Sequence, residues 1–509
     1  MAPLAHTSYG QLQGTDEQDV SVFRGIPFAQ PPVGPLRFRP PQRSAGWSGV
    51  REATRFGPGS FQANRPLAPL LGIVIPEQSE DCLYLNVWTP AAGDGGRRPV
   101  LVWVHGGAWV IGAGSEITYD GAALARRGDV VVVTLNYRLG AFGFLRGKDL
   151  PGGSLDSSGN EALLDVVAAL EWVRDEIAAF GGDPGNVTVM GESAGSVNNA
   201  CLLTMPRARG LFHKAVLESG SLNLTTTPER ATAATRQMLE ELNIAPEAAG
   251  KLRDLPAEEL LVAQNRVAAR SAALSFAPVA DGELIPARPF EAIAGGASRG
   301  IPLLLGTNRE EMKLYRFLDP VIESLDEAGL LRRCEAVFPG TAADGTPNAT
   351  RAVEVYRKAR AARGEETAPA ELWLAVATDQ VFRAGALKLA TLHAAHTPQT
   401  YVYRFDWQAA APGGPRGAIH ALELPFVFGT LEQSEIGRLA GRTPAAQALS
   451  ERMQGAWLAF ARTGSPRSES LPEWQPYAPP RRATMLLGEH PQLVDAPQEP
   501  ERAFWEAFV

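Results

Sequence analysis

The sequence predicts an α/β protein whose core is a large, mostly parallel sheet with helices on both faces. Two observations carry this expectation. Six short runs rich in β-branched and aliphatic residues are bounded by turn residues and lack polar alternation, as strands covered on both faces do. They lie at 99–107 ("PVLVWVHGG"), 129–139, 186–193, 213–221, 301–308 and 400–407. Between them stand helix-period segments, and strand alternating with helix is the pattern that builds a parallel sheet. In 160–180, for example, Leu163, Leu164, Val167, Leu170 and Val173 recur at i, i+3/i+4 spacing. From about 222 to 300, and again from about 313 to 398, charged helical patterns replace the strand runs, which then resume. These stretches read as helical insertions on one sheet, so residues 1–509 are expected to form a single domain.

Composition narrows the function classes. The chain has 509 residues, 45% hydrophobic and 20% charged, with 51 Gly and 40 Pro spread along it. A net charge of −8 with no long Lys/Arg block argues against a nucleic-acid surface. No run of about 18 apolar residues is present, so no membrane span is expected. The first residues, "MAPLAHTSYGQLQG", lack the basic start and apolar run of a signal peptide. Cys82, Cys201 and Cys334 are odd in number and far apart, which fits three reduced structural thiols and a cytoplasmic location. A monomer is expected.

The pattern G-x-S-x-G, the nucleophile elbow of serine hydrolases, occurs twice: around Ser193 in "GESAG" and around Ser298 in "GASRG". An elbow needs a strand, a tight turn and a helix. "NVTVM" before Gly191 is a good buried strand, and "AGSVNNACLLTM" after Ser193 can open a helix. Ser298 follows a helix tail, "PFEAIAGGA", and precedes a strand. Context therefore selects Ser193.

A serine hydroxyl needs a general base, usually a His held by a carboxylate. In hydrolases built around such an elbow the chain order is Ser, acid, His. His6 and His105 precede Ser193 and fail that order. His213 opens the next strand, and His490 lies in a late turn without site context. His393 and His396 share a helix face, but no Cys or carboxylate nearby completes a metal set, so no metal and no cofactor are expected. His420 stands beyond the carboxyl end of strand 400–407, where ligands gather on parallel sheets. The acid belongs on a loop after a strand between these two residues. Glu310 and Glu311 follow "IPLLLGTN", and position alone leaves both open. Backbone donors for an oxyanion are offered by His105-Gly106-Gly107-Ala108 at the end of strand 99–107.

These residues sit in longer stretches that resemble the type-B carboxylesterases, a cholinesterase-like family with the α/β-hydrolase fold, and most of all its bacterial para-nitrobenzyl-esterase-like members. The likeness runs through "FGGDPGNVTVMGESAG" (180–195), "EDCLYLNVWTP" (80–90), "FRGIPFAQPPVGPLRF" (23–38), "NYRLGAFGFL" (136–145) and "HALELPFVFG" (420–429), and covers nearly the whole chain. It implies a serine carboxylesterase acting on a small-molecule ester, short-chain or aromatic. Ser193 would be the nucleophile, His420 the base and Glu311 the acid. The backbone N–H groups of Gly107, Ala108 and Ala194 would form the oxyanion hole, and Ser219 would orient the acid loop.

Three departures stand out. Met312 replaces the glycine that usually follows the acid, and Ala108 replaces the third oxyanion glycine. Residues 1–81 hold no partner for Cys82, whereas secreted members pair that cysteine. Trp109 and Phe276 are candidates for an acyl pocket, with plain packing as the alternative. A cholinesterase proper would need an aromatic face for its cation, and the segment 64–79 has neither Trp nor Tyr. A non-catalytic adhesion protein on this fold would be expected to lose the serine, which is retained here. Amide or carbamate cleavage by the same residues stays open.

Overall fold

The computed structural model describes residues 2–63, 68, 74, 77–270, 274–409 and 416–509. Most of the aromatic-poor segment 64–79 and part of the loop before His420 therefore lie outside the described residues. Eleven strands form the main sheet, in the spatial order Gln492–Asp495, Ala483–Leu487, Thr400–Phe405, Leu303–Asn308, Lys214–Glu218, Gly182–Glu192, Arg98–Val104, Val131–Leu135, Tyr84–Thr89, Val20–Pro27 and Thr15–Glu17. The seven strands from Ala483–Leu487 to Val131–Leu135 run parallel. Antiparallel strands close both edges. The sheet is thus large and mostly parallel, as the sequence predicts. The six predicted runs all fall in its parallel block.

The apolar runs divide by parity. Val100, Val102, Val104, Val187 and Val189 enter one core, while Leu101, Trp103, Val132, Met190 and Val216 enter the other. Because side chains alternate across a strand, a run with no polar member needs cover on both faces. Helix Glu161–Glu176 supplies part of one cover and helix Pro444–Thr463 part of the other. A separate small sheet joins Leu4–Thr7, Gly10–Gln13 and Val50–Glu52. Neither it nor the edge strands is foreseen from the apolar runs.

Helices occupy both predicted insertion spans. Pro228–Glu241, Ala257–Arg270 and Pro289–Ala294 lie in the first. The second holds Glu327–Val337, Asn348–Ala362, Pro369–Thr378 and Ala384–Ala394, joined by a satellite core of Leu330, Cys334, Tyr356, Leu372 and Trp505. Among the described residues no helix is long and apolar enough to cross a membrane.

From the central strand Arg98–Val104 the chain steps to Val131–Leu135 on one side, then returns to Gly182–Glu192 on the other. Such a switch point opens a crevice at the carboxyl ends of the strands. Gly107, Ser193, Ser219, Glu311 and His420 all follow strand ends on that edge.

One buried ion pair ties the segment after Val131–Leu135 to helix Glu161–Glu176. Arg138 donates to both carboxylate oxygens of Asp165, at 2.8 and 2.7 Å, and the Arg138 backbone N–H adds a third bond at 3.1 Å. Removing one partner of a buried pair strands the other charge without water. Asp165→Ala is therefore expected to lower unfolding stability by about 3–5 kcal/mol, measured by urea denaturation. A loss under about 1 kcal/mol would contradict the pair's burial.

Candidate active site

Ser193 links strand Gly182–Glu192 to helix Ala194–Leu202 at φ 53°, ψ −121°, a conformation that non-glycine residues seldom hold. Its amide donates to the Glu218 carbonyl at 2.8 Å, which pins the turn to the neighbouring strand. The two pattern glycines explain themselves by contact. A Cβ on Gly195 would overlap the Val104 carbonyl oxygen, and one on Gly191 would stand 2.6 Å from the same atom. Helix and strand approach too closely here for any side chain.

Ser298 is different. It sits, buried, in the turn between helix Pro289–Ala294 and strand Leu303–Asn308, and a Cβ on Gly300 would meet open space. Its glycines serve positive φ, not close packing. The same five-residue pattern thus has two physical causes.

Glu311 is fully buried, and its carboxylate is satisfied on every side. Oε1 accepts from Ser219 Oγ and from the Asn308 amide, both at 2.7 Å, and Oε2 accepts from His420 Nδ1 at 2.8 Å. A backbone bond from His420 N to Glu311 O, 3.3 Å, adds a second tie. Glu310 instead turns to Lys313, 2.6 Å away. Burial opposes ionisation of Glu310, but the Lys313 ammonium and its hydrogen bond outweigh it and hold the carboxyl below its ordinary value. Geometry therefore separates two glutamates that position alone left open.

The other ring nitrogen, His420 Nε2, stands 3.1 Å from Glu192 Oε1. A Cβ on Gly106 would lie 2.6 Å from Glu192 Oε2 and 3.2 Å from Ser193 Cβ, so the His105–Ala108 loop, Glu192 and Ser193 share one small volume. Among the described residues no hydrogen bond joins Ser193 Oγ to the ring. Bonds of this kind are often long before a substrate is seated and tighten with it.

Accessibility marks the opening. Ser193, Gly107 and Ala108 are partly exposed, while Trp103–Gly106, Gly191, Glu192 and residues 194–200 are buried. Among the described residues no acceptor takes the amide hydrogens of Gly107 or Ala108. Ala194 opens its helix, so its N–H has no acceptor within that helix either. The loop is fixed by Tyr137, whose hydroxyl donates to the His105 carbonyl at 2.8 Å.

Sequence reasoning names Glu311 but misses four more buried glutamates around it. Burial raises Glu192 and Glu423 well above the carboxylate range, reinforced by their carboxylate neighbours. Burial also pushes Glu116 and Glu218 up to about 8, against the Ala113 amide and the Trp457 indole that favour their ionised forms. Burial and the neighbouring carboxylates thus oppose a negative charge on Glu192 beside His420 Nε2. Glu192 and Glu423 lie inside quoted motifs, yet nothing in their spacing signals burial.

The remaining candidates are placed as follows. Trp109 is buried against Phe144, with its indole donating to Asn198 at 2.9 Å, and Phe276 lies in the same core. His393 bonds Thr400 and His396 contacts Ala294 and Arg299, so the H-x-x-H pair is occupied with packing. Among the described residues no group of His, Cys, Asp or Glu could hold a metal ion.

A carboxyl whose pKa rises on folding makes stability fall as pH climbs from its unfolded value to its folded one. For Glu116 that window runs from the ordinary 4.5 to about 8. Glu116→Gln keeps the acceptor for Ala113 and removes the titration. It is expected to leave stability unchanged near pH 4.5 and to raise it by about 1–3 kcal/mol at pH 8, read from denaturation curves across that range. An equal effect at both ends would contradict a buried neutral acid.

Residues 1–505 match the family model described as the carboxylesterase family. The chain is 41% identical over 503 residues to the para-nitrobenzyl esterase of Bacillus subtilis (strain 168), covering 98% of this chain and 97% of that one. It is 36% identical over 498 residues to the phenmedipham hydrolase of Pseudarthrobacter oxydans, covering 96% and 95%. Among solved structures, a Geobacillus stearothermophilus carboxylesterase superposes with a TM-score of 0.87 at 41% identity, over 99% of each chain. A thermophilic para-nitrobenzyl esterase superposes with a TM-score of 0.86 at 39% identity, over 99% of this chain and all of that one. These likenesses span the elbow, the acid loop and the His420 segment together, and they make the chain a member of the carboxylesterase family, with the α/β-hydrolase fold.

Proposed function

We propose that the protein is a serine carboxylesterase that hydrolyses small carboxylic esters through an acyl-enzyme on Ser193. One observation carries the reading: a buried carboxylate, Glu311, grips Nδ1 of His420, while Nε2 of the same ring faces the volume shared by Glu192 and the partly exposed Ser193. In the first half-reaction His420 Nε2 takes the Ser193 Oγ proton as Oγ attacks the ester carbonyl carbon. The carbonyl oxygen becomes an oxyanion, met by the N–H groups of Gly107, Ala108 and Ala194. His420 then protonates the leaving alkoxide, and the C–O bond breaks. In the second half water attacks the acyl carbon as His420 takes its proton, and the acid departs as that proton returns to Oγ. Glu311 stabilises the imidazolium in both halves, and Ser219 and Asn308 fix Glu311 in place.

The burial of Glu192 serves this scheme by opposing its ionisation. An ionised carboxylate in contact with Nε2 would compete for the serine proton and repel the nearby oxyanion. Burial and its carboxylate neighbours oppose that ionisation.

The para-nitrobenzyl esterase relative supports an ester with an aromatic alcohol, and the whole chain would work as one hydrolase domain with two helical insertions. The free, buried thiols of Cys82, Cys201 and Cys334 support a reducing, cytoplasmic setting.

Short-chain p-nitrophenyl esters are expected to be hydrolysed, and an organophosphate should label one serine. Peptide mass mapping is expected to find the adduct on Ser193; an adduct on Ser298 would overturn the assignment. Glu311→Gln is expected to lower kcat by about 10³-fold or more, whereas Glu310→Gln should stay within about tenfold of the parent. The reverse order in steady-state assays would move the acid to Glu310.

A further inference from the structure

Helices Pro369–Thr378 and Ala384–Ala394 are joined by a π-helical turn, Asp379–Arg383. In such a turn hydrogen bonds run from i to i+5, as from the Asp379 carbonyl to the Ala384 amide. Thr378, just before the turn, and Phe382 and Arg383, at its end, meet the Glu311 loop and the His420 ring. Thr378 Oγ1 accepts from the amide of Met312, just after Glu311, at 3.2 Å. Arg383 donates to the carbonyls of Arg309 at 2.8 Å and Asn308 at 3.4 Å, just before it. The Phe382 ring lies 4.6 Å, centroid to centroid, from the His420 imidazole at an interplanar angle of 34°.

The turn is itself anchored. Arg383 bonds Asp379 at 2.7 Å, Asp379 accepts from the Tyr356 hydroxyl, and that hydroxyl accepts from the Trp505 indole at 2.6 Å. All four of these residues are buried. The chain of bonds runs from the last helix, Glu499–Trp505, to the loop that carries Glu311.

We propose that Arg383, Phe382 and Thr378 are positioning residues for the reaction, a clamp that holds the Glu311 loop from both ends and braces the face of the His420 ring. The inference rests on the Ser193–Glu311–His420 reading. Its physical content is that acid and base are fixed by one element, so they cannot drift apart independently. A displacement near 1 Å at reacting groups costs about 10²-fold in rate, which is the range available to a lost clamp.

The test is steady-state kinetics on p-nitrophenyl acetate for Arg383→Ala, Phe382→Leu and Ser193→Ala, each with a thermal melt. Arg383→Ala is expected to lose about 10- to 100-fold in kcat with KM within about threefold, since the clamp acts on the chemistry and not on substrate binding. Millimolar guanidinium should return part of the lost rate. Phe382→Leu should lose about fivefold or more in kcat, again with KM held, and decides the matter alone if Arg383→Ala does not fold. A kcat within about twofold of the parent, or a loss carried by KM, assigns the turn to the fold alone and overturns the clamp. So does a loss that guanidinium leaves untouched. An inactive Ser193→Ala beside fully active clamp variants refutes only the clamp, whereas an active Ser193→Ala refutes the triad beneath it.

Discussion

Everything around the site follows from the burial of one carboxylate. Glu311 is fully buried, so its oxygens must find donors in the protein, because a buried polar group left unpaired is costly. The donors come from three places: Ser219 from just past the strand at 214–218, Asn308 from the end of the strand that leads into the Glu311 loop, and His420 from beyond the strand at 400–405. Each bond satisfies a carboxyl oxygen and fixes a neighbour. The strand end that carries Ser219 also holds the Ser193 turn, because the Glu218 carbonyl accepts from the Ser193 amide. One element thus couples the Ser193 turn to the Glu311 loop.

Backbone strain collects where these segments meet. Of the non-glycine residues with positive φ, Ala108, Trp109, Ser193, Ser219 and Ala421 all belong to the site loops. Each such conformation costs on the order of 1–3 kcal/mol and persists only where surrounding contacts over-determine it. The contacts are visible: Gly140 N donates to the Trp109 carbonyl, Tyr137 holds the His105 carbonyl, and Ser219 N donates to Gly306. The strain is stored in the loops and is carried by the rigid sheet beneath them.

The legible parts of the chain are those where one physical cause leaves one pattern. Strands buried on both faces leave unbroken apolar runs, so six of the seven parallel strands can be read directly, all but the short Ala483–Leu487. Short edge strands such as Thr15–Glu17 and Gln492–Asp495, polar or half-exposed, leave no such run. Strand and loop context points to Ser193 and His420 as candidates, and only the family resemblance points to Glu311 over Glu310, because the two differ in which carboxyl turns inward to His420 and which meets Lys313. The glutamates at 116, 192, 218 and 423 and the π turn at 379–383 were in plain view as letters. Their roles depend on who surrounds them, and no spacing encodes that.

The bond from Trp457 to Glu218 joins residues 239 positions apart, and Thr430 reaches Thr118 across 312. Contacts of that sequence separation are closed late, because the entropy of closing the loop must be met before the contact returns anything. The pieces of the site are spread from residue 105 to residue 420, so no stretch of chain that stops short of His420 holds all of them. A truncated chain of that kind keeps the Ser193 turn and the Glu311 loop but leaves Glu311 Oε2 without its donor.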